Sequence, residues 1–336
     1  MIARRFFSPR QLAHAPGQEL HNGGFTAYAE TPSRAAAILR AIGGAEEPLD
    51  RGTAPIATVH AADYLHFLQD APVLWREAGR PGQAIPYAFP IVARRPLRLD
   101  RVDALLGRFS MDATTPIASA TWDAAYWSAQ TALAATYAVL DGERAAFALS
   151  RPPGHHAGAD YCGGYCHLNV AAIAAQAARD AGVERVAILD IDYHHGNGTQ
   201  DIFWSRPDVF YASVHADPAT DYPFFWGHPD EHGGGAGEGA TLNLLLPHGT
   251  TLDPFRRAQA AALDAIARFD PGLLVVSFGA DTWRGDPISH FALETPDYAV
   301  LARDIAACGW PTAIVMEGGY AVDALGDNVA SFLSEF

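Results

Sequence analysis

Short apolar runs alternate with longer amphipathic segments along this chain. The runs are rich in alanine and β-branched residues, which is typical of strands buried on both faces of a parallel sheet. They occupy residues 145–150, 186–189, 209–215, 273–281 and 312–320. Helical patterns lie at 121–140 and 168–181, and two more begin at Asp253-Pro254 and Thr295-Pro296. This alternation predicts an α/β fold, a doubly wound and mainly parallel sheet with helices on both faces.

Each apolar run leads into residues that can bind a metal or move a proton. In chain order these are His155-His156, then Asp190, Asp192 and His194, then His215, Asp281 and Tyr320. In open α/β sheets ligands bind beyond the carboxyl ends of the strands, so the fold gathers these side chains at one edge. Asp190, Asp192 and His194 also share one parity, and they point to the same side if the strand continues. The pattern therefore predicts one functional site at this edge.

Length and composition favour a single domain that spans residues 1–336. The chain is 49% hydrophobic and 18% charged, which is enough to build the core of one large α/β domain. No internal repeat, low-complexity tract or linker divides it. The proline-punctuated segment of about residues 79–120 is too long for an ordinary connection, so we expect a functional insert there.

Composition also excludes several classes of function. The net charge of −15 argues against nucleic-acid binding, which needs a basic surface, and it favours a cationic small-molecule substrate. No apolar run reaches the length of a membrane span, and Pro9 and Arg10 end the first apolar stretch too early for a signal peptide. Three cysteines cannot form a disulfide framework. We expect a cytoplasmic protein without membrane or nucleic-acid partners, in which Cys162 and Cys166 are packing residues.

The residue types indicate metal-assisted hydrolysis. Asp192, His194 and Asp281 supply one nitrogen and two oxygen ligands and leave a position for water, as in catalytic zinc sites. A capped strand end with polar loop residues is the simpler alternative. Against it, acidic groups beside a buried strand are costly unless something pairs with them.

Two further motifs fit the same chemistry. His155-His156 can supply the base and the acid that hydrolysis needs, and Tyr320 can donate its hydroxyl to a developing oxyanion. Taken alone, the two histidines would cap a loop equally well, and the tyrosine would be assigned to the core. For His215 we favour a structural role.

Four segments resemble the signature blocks of the histone deacetylase family, which has the arginase/deacetylase fold. They are residues 151–156, with the sequence Arg-Pro-Pro-Gly-His-His, and residues 190–198, 279–287 and 317–320. Segments 163–169, 198–203 and 318–322 are similar to the bacterial acetylpolyamine amidohydrolases within that family. The resemblance implies a zinc-dependent amidohydrolase that removes acetyl groups from acetylated amines, above all acetylpolyamines such as acetylputrescine, acetylcadaverine and acetylspermidine.

The resemblance also assigns roles at the metal centre. It implies one zinc ion per chain, held by Asp192, His194 and Asp281, with His156 as the general base and acid. His155 becomes an electrostatic partner oriented by Asp190, and Asn197 stands where many relatives place an aspartate beside the second histidine. The family's structural potassium ion would be bound by Asp190, Asp192, His194, Ser213 and Val214.

For the substrate, the resemblance implies a narrow apolar tunnel. The Gly164 carbonyl would accept the substrate amide N–H, and Tyr165 and Phe225 would line the tunnel. In acetylpolyamine amidohydrolases the corresponding insert packs at a dimer interface and narrows the entrance, which implies a homodimer through residues 79–120. The charges of Asp100, Asp103 and Asp112 in this insert would attract a cationic amine to a narrow entrance. Nearby arginines, Arg94 and Arg95 among them, oppose that effect.

Other functions stay open at this point. The same motifs suit an acetyl-lysine deacetylase acting on proteins or peptides, or a deacetylase of another small amide. A two-manganese ureohydrolase would need further aspartates, of which the sequence near Asp281 offers Asp286 alone. A non-catalytic binder of acetylated ligands is disfavoured because Tyr320 and every metal-ligand position are filled.

Overall fold

The computed structural model describes residue 2, residues 4–90 and residues 98–336. Arg94 and Arg95 of the expected insert lie outside the described residues. The strands are β1 Arg4–Phe6, β2 Gln18–His21, β3 Gly24–Ala27, β4 Ala145–Ala148, β5 Val186–Asp190, β6 Val209–Ala216, β7 Thr241–Leu246, β8 Leu273–Phe278 and β9 Thr312–Met316. The α-helices are α1 Ser33–Ile42, α2 Ala54–Ala57, α3 Ala62–Glu77, α4 Val102–Arg108, α5 Thr121–Leu140, α6 Val170–Asp180, α7 Asn197–Phe203, α8 Leu252–Phe269, α9 Thr295–Ala306 and α10 Val322–Leu333.

Seven strands form one parallel sheet in the order β1-β4-β9-β8-β5-β6-β7. All six pairings in this sheet are parallel, so the predicted fold class is confirmed. The five strands that the apolar pattern predicts are the five contiguous central strands. The edge strands β1 and β7 were not predicted, because β1 is only three residues long and begins with two arginines. The hairpin β2–β3 is separate and antiparallel.

Helices cover both faces of the sheet. In β5, Ala187 and Leu189 belong to the core shared with α1, α8, α9 and α10, whereas Val186 and Ile188 pack with α5 and α6. Successive residues of a strand point to opposite faces, and both faces here are buried. This double burial explains why the central strands read as continuous apolar runs.

The predicted helix boundaries agree closely with the structure, and the differences have local causes. Helix α5 spans the predicted residues. Helix α6 starts two residues late because the Asn169 side chain accepts the backbone N–H of Ala172 and caps the helix. Helix α9 begins at Thr295, but its cap is Glu294, whose backbone N–H in turn donates to Asp297 Oδ2.

The described part of the insert, residues 79–90 and 98–120, is packed and not an open loop. It contains α4, which the sequence analysis did not predict, and Ala84 pairs with Ile117 across it. Val102 and Leu106 join an apolar cluster with α3 and α5. The cluster anchors the insert against the body of the protein.

A buried ion cluster connects distant parts of the chain. Glu30 Oε1 lies 2.7 Å from Arg34 Nη1 and 2.9 Å from Arg151 Nε, and all three side chains are buried. Arg34 also donates to the carbonyls of Glu317 and Gly319. Buried charges are tolerated only when they are paired and hydrogen-bonded. The cluster thereby fixes the loops after β4 and β9 relative to the N-terminal segment.

Candidate active site

The three expected metal ligands lie together beyond the ends of two adjacent strands. Asp192 and His194 follow β5, and Asp281 follows β8. His194 Nδ1 lies 3.3 Å from Asp192 Oδ1 and 3.2 Å from Asp281 Oδ2, and one ligand atom from each residue lies within 4.8 Å of the other two. The structure therefore brings the candidate triad together.

The reason given for this arrangement from strand parity was wrong. Strand β5 ends at Asp190, so the pleat does not continue through Asp192 and His194. Instead, Asp190 Oδ1 accepts the backbone N–H of Asp192, and Asp192 Oδ1 accepts that of His194. In these two turns an aspartate side chain accepts the backbone N–H two residues later, and the turns orient the ligand side chains.

The donor set fits a divalent cation. Asp192 and Asp281 are both buried, and burial together with the charge of Asp192 raises the pKa of Asp281 to about 7. Backbone crowds the carboxylates, because a Cβ atom at Gly318 would overlap the Asp281 carboxylate. Two adjacent buried carboxylates and an imidazole are the oxygen and nitrogen ligands that zinc accepts, and a cation removes the cost of ionising both.

The two tandem histidines have different partners. His155 Nδ1 lies 3.1 Å from Asp190 Oδ2, and His156 Nδ1 lies 2.7 Å from Asn197 Oδ1. Burial opposes protonation of His155, but the carboxylates of Asp192 and Asp190 outweigh it and raise its pKa to about 10. Burial, with the nearby charge of His155, lowers the pKa of His156 well below its usual value. His155 is therefore cationic at neutral pH and His156 is neutral.

Tyr320 lies in the loop after β9, at the same edge. Burial raises its pKa well above the usual value, so the hydroxyl keeps its proton. The backbone N–H groups of Tyr320 and Ala321 both donate to Asp286 Oδ2. Asp286, the aspartate that a second manganese would need, thus holds the tyrosine loop in place.

His156, His194 and Tyr320 open onto one cavity of about 590 Å³. Its lining includes Met111, Asp112, His156, Gly164, Tyr165, His194, Tyr222, Phe225 and Tyr320. Gly164 has φ +52°, and a Cβ atom there would overlap the His156 ring, so only glycine fits. Tyr165 is buried, and its hydroxyl donates to Glu19. Gly164 and Tyr165 therefore both line the cavity, and their contact with substrate stays a prediction.

Phe225 lies at the outer lip of the cavity and not beside His156. Its side chain is 78% exposed. The ring next to His156 belongs to Tyr222, with centroids 5.0 Å apart. The Tyr222 hydroxyl donates to Asp112 Oδ2, which holds the ring inward. Sequence analysis missed Tyr222 because the turn that separates the two aromatic residues has no periodic pattern.

Asp103 does not line the cavity. Its carboxylate pairs with Arg80 at 2.8 Å and with Arg101 at 2.7 Å, so its charge is compensated within the insert. The acidic residue that the insert does bring to the cavity is Asp112. Its Oδ2 accepts the N–H of Gly164 as well as the Tyr222 hydroxyl.

Glu317 is a further buried residue that the sequence analysis did not assign. Its Oε2 accepts the backbone N–H groups of Gly154 and His155, and its Oε1 accepts the Ser277 hydroxyl. Burial raises its pKa to about 7. The sequence could have indicated a role for Glu317, because it directly follows the apolar residues of the predicted buried strand and a buried carboxylate there needs hydrogen-bond partners.

His215, near the end of β6, makes hydrogen bonds that fit the structural role expected of it. His215 Nδ1 lies 2.8 Å from Ser213 Oγ, and its Nε2 lies 2.9 Å from the carbonyl of Gly227. Asp190 and Ser213 are register partners in neighbouring strands. Cys162 and Cys166 are buried free thiols.

Comparison with known proteins agrees with this geometry. The family model of the histone deacetylase domain matches residues 28–336, so the chain belongs to the histone deacetylase family. It is 46% identical to acetylpolyamine amidohydrolase 1 of Pseudomonas aeruginosa over 98% of this chain and 97% of that protein. It is 44% identical to the acetylpolyamine amidohydrolase of Mycoplana ramosa, with 98% of each chain covered.

A solved structure shows the same fold. The crystal structure of the acetylpolyamine aminohydrolase from Burkholderia pseudomallei superimposes with a TM-score of 0.94 at 44% identity, covering 99% of this chain and 98% of that one. Both resemblances stated from the motifs, to the family and to its amidohydrolase branch, are confirmed. The chain is therefore a deacetylase-family enzyme. Among the described residues, no helix is both long and apolar enough to cross a membrane.

Proposed function

We propose that this enzyme is a zinc-dependent deacetylase of acetylpolyamines. One zinc ion per chain would be held by Asp192, His194 and Asp281. The observation that carries the proposal is the meeting of this triad with His156 and Tyr320 at one cavity. When bound, zinc supplies Lewis-acid polarisation of the acetyl carbonyl and lowers the pKa of water.

His156 is suited to move the proton. Its Nδ1 is held by the Asn197 carboxamide oxygen at 2.7 Å, which requires a proton on Nδ1 and leaves the Nε2 lone pair free to accept one. The lowered pKa of His156 keeps this neutral form at neutral pH. The same Nε2 can then return the proton to the leaving amine.

Tyr320 and Gly164 position the substrate amide from two directions. The protonated Tyr320 hydroxyl can donate to the oxygen as negative charge develops there. The Gly164 carbonyl borders the cavity and can accept the amide N–H. It already accepts the Cys166 thiol at 3.3 Å, and a carbonyl oxygen has two lone pairs.

The cavity favours a slender cationic substrate. Aromatic rings of Tyr165 and Tyr222 flank its deep part, and Phe224 and Phe225 lie at the lip, so a chain of methylenes can be enclosed and a distal ammonium can lie over aromatic faces. The half-buried Asp112 adds negative charge. The two relatives from Pseudomonas aeruginosa and Mycoplana ramosa are named acetylpolyamine amidohydrolases, which supports the same substrate class. Acetyl-lysine peptides are the second candidate, because a lysine side chain presents the same acetylated methylene chain.

We also propose a structural potassium ion between the end of β5 and the neighbouring strand β6. The residues that would hold it are Asp190, Asp192, His194, Ser213 and Val214. The adjacency of Asp190 and Ser213 in β5 and β6 supports this site. Oxygen ligands from carboxylate, hydroxyl and backbone suit a hard cation.

We propose that two copies pair through the insert of residues 79–120. Tyr87 and Phe89 support this arrangement, because both are exposed, Tyr87 to 68%. Large exposed aromatic side chains that lie close together are typical of protein interfaces.

Zinc removal tests the metal centre. Dialysis against a chelator should abolish hydrolysis of acetylputrescine, and added zinc should restore it. Asp281→Asn should lose both zinc, measured by atomic emission, and turnover. Asp323→Asn, at an exposed carboxylate of α10, should keep both. Full activity in metal-free protein would exclude this mechanism.

Tyr320→Phe tests the oxyanion donor. We expect kcat to fall about a hundredfold or more, the usual cost of losing one such donor, with zinc content unchanged. Tyr28→Phe is the matched control, because Tyr28 is a buried neighbour whose hydroxyl contacts His14, and its kcat should stay close to that of the parent enzyme. An unchanged kcat in Tyr320→Phe would return this tyrosine to a packing role.

Asp112→Asn tests charge recognition. It should lower kcat/KM for acetylputrescine about fivefold at low salt, since an ion pair open to solvent is worth about 1 kcal/mol, and should leave neutral N-butylacetamide unaffected. Asp103→Asn should change neither substrate, because Asp103 is paired within the insert. Equal losses for both substrates in Asp112→Asn, or a parent preference for an acetyl-lysine peptide, would contradict the proposal.

Sedimentation velocity tests the pairing. The parent enzyme should sediment as a species with twice the chain mass of 35.9 kDa. The sedimentation coefficient of the double variant Tyr87→Ser/Phe89→Ser should shift towards that of the monomer. Leu49→Ser, at a side chain exposed outside the insert, should not. A monomeric parent enzyme at micromolar concentration would refute the dimer.

A further inference from the structure

A second metal-ligating cluster lies at the rim of the cavity. It consists of Asp221 in the turn after β6, His248 in the turn after β7 and His290 in the loop that follows Asp281. One ligand atom from each lies within 4.8 Å of the other two. His248 Nε2 is 2.6 Å from Asp221 Oδ2, and the rings of His248 and His290 are 4.5 Å apart. None of these residues belongs to the Asp192–His194–Asp281 triad.

Hydrogen bonds build this cluster without a metal. Asp221 is buried, and its Oδ1 accepts the Tyr193 hydroxyl at 2.6 Å while its Oδ2 accepts the Thr220 hydroxyl at 2.7 Å. The backbone N–H of Gly249 donates to the carbonyl of His290 at 2.7 Å, which joins the two histidine loops. The carboxylate and both loops are therefore fixed in place, and a cation would meet ligands that are already oriented.

The cluster is open to solvent, unlike the catalytic triad. His248 and His290 are both exposed, so an aqueous ion can reach the two ring nitrogens. Two imidazoles and one carboxylate, with a fourth position left for water, are a common ligand set for zinc. We propose that Asp221, His248 and His290 bind a second zinc ion at the rim.

A third cluster, formed by His155, Cys166 and Glu317, does not offer such a site. All three side chains are buried, so an aqueous ion cannot reach them as it reaches the rim histidines. His155 donates to Asp190. The rim cluster is the one whose nitrogen ligands face water.

The rim ion would regulate access to the catalytic centre. Asp221 and His290 line the cavity, so a dication bound there adds positive charge where a substrate enters. This consequence rests on the proposed function, because repulsion matters for a cationic acetylpolyamine and not for a neutral amide. Zinc in excess of the catalytic ion is therefore an inhibitor that raises KM for charged substrates.

Zinc counting tests the site independently of turnover. The parent enzyme is dialysed to equilibrium against micromolar zinc chloride, and zinc per chain is measured by atomic emission for the parent, His248→Asn, His290→Asn and His66→Asn. We expect the parent and His66→Asn to bind one ion more than either rim variant, since His66 is an exposed histidine of α3 outside the cluster. Equal counts in all four proteins would overturn the proposal.

A ligand-restoring variant and a kinetic assay complete the test. His248→Cys should regain the second ion, because a thiolate is also a zinc ligand. Excess zinc should raise KM for acetylputrescine in the parent several-fold, leave N-butylacetamide hydrolysis unchanged, and have no effect in His248→Asn. A parent that binds the second ion but hydrolyses neither amide would contradict the deacetylase function and leave the rim site supported. Equal inhibition of the parent and His248→Asn would refute regulation from the rim.

Discussion

Two carboxylates buried side by side are the constraint around which this active site is built. Asp192 and Asp281 approach each other at the ends of neighbouring strands, where water cannot solvate them. Burial and mutual repulsion raise the pKa of Asp281 to about 7, which means that the apoprotein carries a cost that a cation relieves. The backbone can pass this close to the two carboxylates only because residues 279 and 318 are glycines, where a Cβ atom would overlap Asp192 and Asp281 respectively.

At the same edge of the sheet, the adjacent histidines His155 and His156 have different hydrogen-bond partners. His155 faces a carboxylate and His156 faces a carboxamide, and their pKa values move in opposite directions. These shifts favour a protonated His155 and a neutral His156. Because the cation disfavours protonation of its neighbour, the first histidine helps to set the basicity of the second. An amide partner fixes the ring orientation without adding the negative charge that would reverse this effect.

Sequence reasoning was most successful where a physical pattern is local. The central strands can be predicted because both of their faces are buried, which makes each a continuous apolar run. The residues that follow them can be predicted to meet because parallel strands end at one edge of the sheet. Edge strand β1 carries no such pattern, since it has three residues and only Phe6 among them is buried. The placement of Asp103 and Phe225 depended on how the insert and the loop after β6 fold, which propensities do not encode. Asp103, in the first turn of α4, pairs with Arg80 and Arg101, and Phe225 is exposed to solvent. The arginines near Asp103 in the sequence signalled its pairing, but no pattern signalled the exposure of Phe225.

The cluster of Glu30, Arg34 and Arg151 has a consequence for the order in which the protein can be assembled. Glu30 and Arg34 leave the ribosome long before Glu317 and Gly319, whose carbonyls Arg34 needs as hydrogen-bond acceptors. In the sheet, β9 lies between β4 and β8, so both of these strands also wait for a partner that is made later. Contacts between segments so distant in sequence form slowly and late. The edge of the sheet that carries the site therefore closes only after β9 and the loop that follows it have been made.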